Sequence, residues 1–157
     1  MSGKRVPGGD AQAIRAAALA LLARRDWLTG ELRAKLQAGG CDPRVTASVI
    51  AELVVERLLD DARYAERYVV SRAERGQGPV RIAAELAGLG APRELIDAAL
   101  ESGPDWRAVA GVVRRRKFGA APPDSWAEKA RQARFLQYRG FSADHIRAAT
   151  GADLEAD

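Results

Sequence analysis

A leucine, a glycine and the residue after that glycine recur three times in this chain: Leu36, Gly40 and Cys41; Leu86, Gly90 and Ala91; Leu136, Gly140 and Phe141. Corresponding members of successive sets are fifty residues apart. A glycine four residues past a leucine is the spacing of a helix C-terminus. The glycine takes a left-handed conformation, and the leucine and the residue after the glycine meet across the turn. One helix ending written three times at one period marks a tandem repeat. In this setting Cys41 reads as a small buried hydrophobe, not as a ligand or nucleophile.

Apolar residues elsewhere fall at helical spacing. Ile14, Ala18, Leu21 and Leu22 form one stripe; Leu28, Leu32 and Leu36 a second; Val45, Val49, Ile50 and Leu53 a third. Tyr64, Tyr68 and Val69 open the next series, followed by Ile82, Leu86 and Leu89, and by Leu95, Ile96 and Ala99. Trp106, Val109, Ala110 and Val113, then Trp126, Ala130, Ala133 and Leu136, then Ile146 and Ala149 complete it. No segment alternates as a strand would. The expectation is an all-α fold of about nine helices in three tandem units, each of helix, helix, glycine turn and helix. The units span 10–58, 59–102 and 103–151, with a flexible segment 1–9 ahead and a tail 152–157 behind. A sharp turn between the last two helices of a three-helix unit is also the helix-turn-helix arrangement. Aromatic residues make up only 6%, so thin cores rich in Ala and Leu are expected to stack into an elongated array.

The separators have local mechanics. Asp42-Pro43 offers an N-cap and a proline at the first helical position, and Pro79, Pro92 and Pro104 are placed similarly. Asp60-Asp61, directly before a helix, is expected to cap it and favour its dipole; metal binding is the alternative. Ser125 and Glu128 have capping-box spacing. The break from Phe118 to Asp124 reads as a loop within the third unit.

Little in the chain supports covalent chemistry. There is one histidine, His145, and one cysteine, too few for a usual zinc set, and no phosphate loop of the Walker type. No catalytic residue, metal or cofactor is expected. One cysteine also excludes an internal disulfide and fits a reducing compartment. Ala16 to Ala23 is apolar, but Arg24-Arg25-Asp26 follows at once, and no run reaches the roughly 20 apolar residues of a membrane span. A cytoplasmic monomer without membrane contact is the expectation.

Charge is more informative. The net charge is +4, and the surplus lies late in the chain. From Gly103 to Asp157 there are ten Lys and Arg against seven Asp and Glu, three of the seven in the last five residues. Arg114, Arg115, Arg116 and Lys117 end one helix, and Lys129, Arg131, Arg134 and Arg139 recur on the next. Consecutive helical residues are about 100° apart, so the first four do not share a face. Two neighbouring cationic helices form either a strip for phosphates or a solvated face. Arg75-Gly76-Gln77-Gly78-Pro79, flanked by Arg72 and Arg81, reads either as a plain turn between helices or as a cradle of free N–H groups for phosphate.

The stretches Leu59-Asp60-Asp61-Ala62-Arg63-Tyr64-Ala65, Ser71-Arg72, Arg75 to Ile82 and Glu85-Leu86 together resemble the central signature of the RecX family of regulatory proteins. Ala23-Arg24-Arg25-Asp26 and Glu31 to Leu36 are similar to that family's first repeat. Arg116-Lys117-Phe118-Gly119 and Arg134 to Phe141 are similar to its third. The resemblance runs from about Ile14 to Ala149. It implies an all-helical protein of three tandem three-helix repeats that modulates the RecA recombinase. It also implies binding in the groove of the RecA filament on DNA, with inhibition of strand exchange, ATP hydrolysis and co-protease action, and DNA, single- or double-stranded, as a second candidate partner. One departure is visible. The family often has Ser three residues before the Glu of Glu31-Leu32-Arg33; here Leu28 stands there and Thr29 follows, so the second helix is expected to begin one residue late. The rival readings are a stand-alone helix-turn-helix transcription regulator and a generic protein-binding adaptor.

Overall fold

The computed structural model describes residues 8–152, in which nine α-helices and no strands occur. They are α1 Ala11–Leu22, α2 Thr29–Ala38, α3 Pro43–Val55, α4 Asp61–Glu74, α5 Pro79–Gly88, α6 Arg93–Glu101, α7 Trp106–Phe118, α8 Trp126–Tyr138 and α9 Ala143–Thr150. The all-α repeat fold expected from periodicity is the fold observed. The flexibility expected of the N-terminal segment and most of the C-terminal tail fall on residues 1–7 and 153–157, outside the described residues. The described residues divide into two compact units, one holding residues 8–64 together with 89–92, the other residues 65–88 and 93–152.

In the first unit Ile14 and Ala18 of α1 meet Leu32 and Leu36 of α2 and Val49, Ile50 and Leu53 of α3, with Cys41 and Leu59 closing the core. In the second, Ala110 and Val113 of α7, Ala133 and Leu136 of α8, Phe141, and Ile146 of α9 form a corresponding core. Burying a Leu, Ile or Phe side chain contributes about 1.5–3 kcal/mol each, so these stripes hold the helices together.

The three glycine turns adopt the expected conformation. Gly40, Gly90 and Gly140 have φ of +94°, +92° and +95°. Cys41 N–H donates to the Leu36 carbonyl and Phe141 N–H to the Leu136 carbonyl, each at 3.1 Å. Gly40 and Gly140 donate to the carbonyls of Gln37 and Gln137, each at 3.0 Å. This is the paired bonding of a Schellman ending, and Cys41 is buried within it.

Several helix starts differ from expectation. Thr29 is already helical, so α2 begins on time, with Leu28 as its N-cap residue. Leucine has no acceptor to offer. Instead Asp61 reaches α2 from the head of α4: its Oδ1 accepts from Thr29 N–H at 2.7 Å and from Thr29 Oγ1 at 2.9 Å. Glu31 closes the other half of the cap by accepting from Leu28 N–H at 3.1 Å. The acidic pair is therefore split, because only Asp60 caps its own helix, accepting from Arg63 N–H at 3.0 Å. Ser125 caps α8 by accepting from Glu128 N–H at 3.1 Å. The return bond of a full box is absent among the described residues, because the Glu128 carboxylate is taken by Arg131 and Gln132. Pro79 is the first residue of α5, whereas Pro92 and Pro104 stand just ahead of α6 and α7, the latter because Asp105 takes the cap.

Candidate functional site

The glycine-rich turn after α4 is bonded to the turn after α8. Gly78 N–H donates to the Arg139 carbonyl and Val80 N–H to the Gly140 carbonyl, each at 2.9 Å. Arg139 answers from its side chain, donating from Nε to the Gly76 carbonyl at 3.1 Å and from Nη2 to the Arg75 carbonyl. The two backbones touch so closely that a Cβ on Gly78 would lie 2.4 Å from the Gly140 carbonyl, and one on Gly140 would lie 2.2 Å from Arg81 Cβ. Only glycine fits at either place. Arg75, Gly76 and Gln77 spend their own N–H groups on carbonyls of α4, and Ile82 donates to Gly78. The phosphate-cradle reading of this turn fails on that count, since the amides it requires are occupied.

Fixing the turn creates a different site. Arg75 and Gly76 from just past α4, Arg116 and Lys117 from α7, Phe135 from α8 and Arg139 from just past it surround a cleft of about 280 Å³, with Glu74 as its acidic member. The cations gather there because the C-termini of α4, α7 and α8 meet, and the partial negative charge of those ends favours them. Arg139 bonds neutral carbonyls, so its charge is not cancelled. Arg75, Arg116 and Lys117 have no carboxylate within ion-pair distance among the described residues. The Lys117 ammonium lies 5.6 Å from the Phe135 ring, which stands edge-on to Phe118 at 5.3 Å. The chemistry of such a cleft, cations beside an aromatic ring, suits anionic groups.

The other cations singled out in the sequence do not join it. Arg114 departs most from a surface strip. It is only 6% exposed and donates to the Ala121 carbonyl at 3.3 Å and to Gln132 Oε1 at 3.4 Å. Gln132 occupies the repeat position of Leu32 and Ile82, so a polar pair replaces apolar packing there and pins the loop after α7. Arg115 is exposed beside Gly111, and Arg134 is exposed on α8. Arg131 grips Glu128 with two bonds, at 3.1 and 2.8 Å. That contact, ahead of the bond from Gln132, holds the Glu128 carboxyl below the usual carboxylate range. Lys129 is half-buried. Arg72 lies over the Tyr68 ring at 4.8 Å, and Arg81 donates to Glu85 at 3.2 Å. Glu85 is held below its ordinary pKa first by the Tyr68 hydroxyl, then by Arg81. Of the eleven cations, then, Arg75, Arg116, Lys117 and Arg139 converge. Sequence reasoning missed Glu74 and Phe135; both stand beside marked residues, but their convergence depends on the docked turn.

His145 lies at the repeat position of Val45 and Leu95. It is half-buried, with Nδ1 2.8 Å from Ser142 Oγ. Burial first, then the charge of Arg107, pushes its pKa down, against the opposing pull of Asp144 and Asp105. Among the described residues no helix is long and apolar enough to cross a membrane, and no three His, Cys, Asp or Glu side chains come together as a metal site.

Comparison with known proteins agrees with this architecture. Residues 60–100 match the family profile described as RecX, second three-helix domain, and residues 108–150 that of RecX, third three-helix domain. The chain is 50% identical over 151 residues to the regulatory protein RecX of Halorhodospira halophila, covering 96% of this chain and 94% of that one. It is 43% identical over 145 residues to the regulatory protein RecX of Pseudomonas fluorescens, covering 91% and 94%. Its fold is similar to the crystal structure of RecX from Lactobacillus salivarius, with a TM-score of 0.79 at 22% identity over 88% of this chain and 93% of that one. A second crystal structure of a regulatory protein RecX matches with a TM-score of 0.69 at 20% identity, covering 88% and 72%.

Proposed function

The chain belongs to the RecX family of regulatory proteins, and from that premise we propose that it binds the RecA nucleoprotein filament and modulates, mostly by inhibition, its recombinase, ATPase and co-protease activities. The observation that supports this reading is the 50% identity sustained over 96% of the chain to a protein named regulatory protein RecX. On this reading the protein is a cytoplasmic monomer that acts without catalysis or cofactor. Its working parts are three three-helix units at 10–58, 59–102 and 103–151, and contact with more than one filament subunit restrains the movements of ATP turnover. The cleft of Arg75, Arg116, Lys117 and Arg139 is the contact for DNA phosphates, single- or double-stranded, or for acidic recombinase surface, because its cations are the ones left uncompensated beside one another.

The test is ATP hydrolysis by the host recombinase on single-stranded DNA as folded protein is added. Hydrolysis falls with increasing protein if the reading holds, and an unchanged rate at saturation overturns it. Arg116→Glu with Lys117→Glu weakens the effect and makes DNA binding less sensitive to salt, by about one unit of slope for each phosphate no longer held. Arg114 is left out of this variant because reversing a buried cation would disturb folding instead of binding. The helix-turn-helix regulator reading gives the opposite signature, a preference for one duplex sequence by about 10³ or more over random DNA.

A further inference from the structure

In the second unit α4 and α7 run side by side in the same direction. Gly103, just ahead of α7, abuts Val69, with a Cβ there falling 3.1 Å from Val69 Cγ1; Gly76, just past α4, abuts Val113, where the corresponding distance is 3.2 Å. The stretch from Val69 to Gly76 rises about 10 Å, two helical turns. Between those two contacts the helices leave an open groove of about 720 Å³. Its walls are Val70 and Ala73 from α4 and Ala108, Val109 and Val112 from α7. Val70 is 52% exposed and Val112 37%. Branched apolar side chains left open on two adjacent helices mark a surface that another apolar face covers.

The groove is not electrically uniform. At one end lies Asp105, whose carboxylate accepts from the N–H groups of Arg107 and Ala108. At the other end the groove opens into the cationic cleft, because Glu74, Gly76, Val113 and Arg116 line both. An occupant therefore meets valines along two turns of helix and then Arg75, Arg116 and Lys117 with a single opposing Glu74. We propose that this groove docks an amphipathic helix of a partner protein, one that lays apolar side chains at i, i+4 and i+7 along Val70 and Val112 and sets carboxylates against Arg116 and Lys117. Apolar anchors of that spacing are how a helix fills a groove of this length, and the acidic end follows from charge complementarity with the cleft. The inference stands independently of the recombinase reading, since it uses only the linings of the groove and of the cleft it opens into.

The test uses fluorescent peptides of about twelve residues. They carry leucine at three positions with i, i+4, i+7 spacing, alanine and glutamine elsewhere, and three glutamates at either the C-terminal or the N-terminal end. Control peptides carry lysines in place of the glutamates. Anisotropy should show saturable binding of one glutamate peptide, with the matching lysine peptide at least about tenfold weaker. Val112→Asp should weaken the glutamate peptide about tenfold, and Val70→Asp should do the same if the first variant misfolds by circular dichroism. Arg116→Glu should narrow the gap between glutamate and lysine peptides. Absence of binding to the folded native chain up to about 1 mM of either glutamate peptide overturns the proposal. So does affinity unchanged in folded Val70→Asp or Val112→Asp, and so does self-association of the native chain that Val112→Asp abolishes, which would assign the groove to a second copy.

Discussion

Asp61, at the head of α4, caps α2: its Oδ1 accepts both the backbone N–H and the hydroxyl of Thr29, at 2.7 and 2.9 Å. The bonds cross thirty-two residues of sequence and supply the acceptor that Leu28 lacks. Asp61→Ala should therefore destabilise the fold by about 1–2 kcal/mol, as loss of an N-cap does. Thr29→Ala should cost less, because the backbone N–H still reaches Asp61. In the double variant the effects should be less than additive by about 1 kcal/mol. Chemical denaturation of the four proteins checks this; strict additivity would show that the two residues do not work together.

The three repeat glycines should tolerate alanine unequally. All have φ above +90°, so each substitution carries backbone strain of about 1–2 kcal/mol. A Cβ at Gly40 or Gly90 meets nothing within 4 Å, whereas at Gly140 it would overlap Arg81. Gly40→Ala and Gly90→Ala should remain folded, while Gly140→Ala should lose more than about 3 kcal/mol, in the range reserved for core overpacking and forced backbone shifts. Melting temperatures of the three variants would separate the cases; similar losses in all three would contradict the close approach.

Thr46 is fully buried, and its hydroxyl has no hydrogen-bond partner among the described residues. The matching positions of the other repeats hold Ile96 and Ile146. A buried hydroxyl without a partner costs about 1–3 kcal/mol, so Thr46→Val should raise stability by about 1 kcal/mol or more, visible as a higher denaturation midpoint at unchanged slope. A lower midpoint would mean the hydroxyl is satisfied in solution.

His145 gives the stability a pH dependence. Its folded pKa lies below the unfolded value of about 6.5, mainly through burial. The unfolded chain therefore takes up the proton first. The contribution of neutral His145 is fully present above the unfolded pKa and is lost as pH falls through the folded one. Glu85, also lowered, loses its contribution only further down, as pH falls from the carboxylate range through its own folded pKa. His145→Leu, which restores the residue type of Leu95, should flatten the decline in unfolding free energy just below neutrality and leave the acid limb unchanged. A decline of equal steepness in the variant would remove His145 as its source.

Much of this was legible in the chain because helices announce themselves locally. The apolar stripes of α1 to α3, the Asp42 cap and the leucine-to-glycine endings all act within a turn or two of their own positions. What escaped involved partners distant in sequence. Nothing near Thr29 says that its cap lies at Asp61. Four consecutive basic residues gave no sign that Arg114 turns inward, because the reason is Gln132 on another helix. The cleft was half visible: Arg116, Lys117 and Arg139 stood out by charge, but their meeting with Arg75 depends on how two glycine turns dock.

That docking has a consequence for how the cleft behaves when a ligand arrives. The amides of Gly78 and Val80 are tied to the carbonyls of Arg139 and Gly140, and Arg139 is bonded to the carbonyls of Arg75 and Gly76, so this side of the cleft is held in place beforehand, and association there loses less conformational freedom. The same two amides exchange with solvent only when the turns part. Their protection against deuterium is therefore a gauge, built into the backbone, of whether the cleft is assembled, readable in the free protein and in any complex without a label.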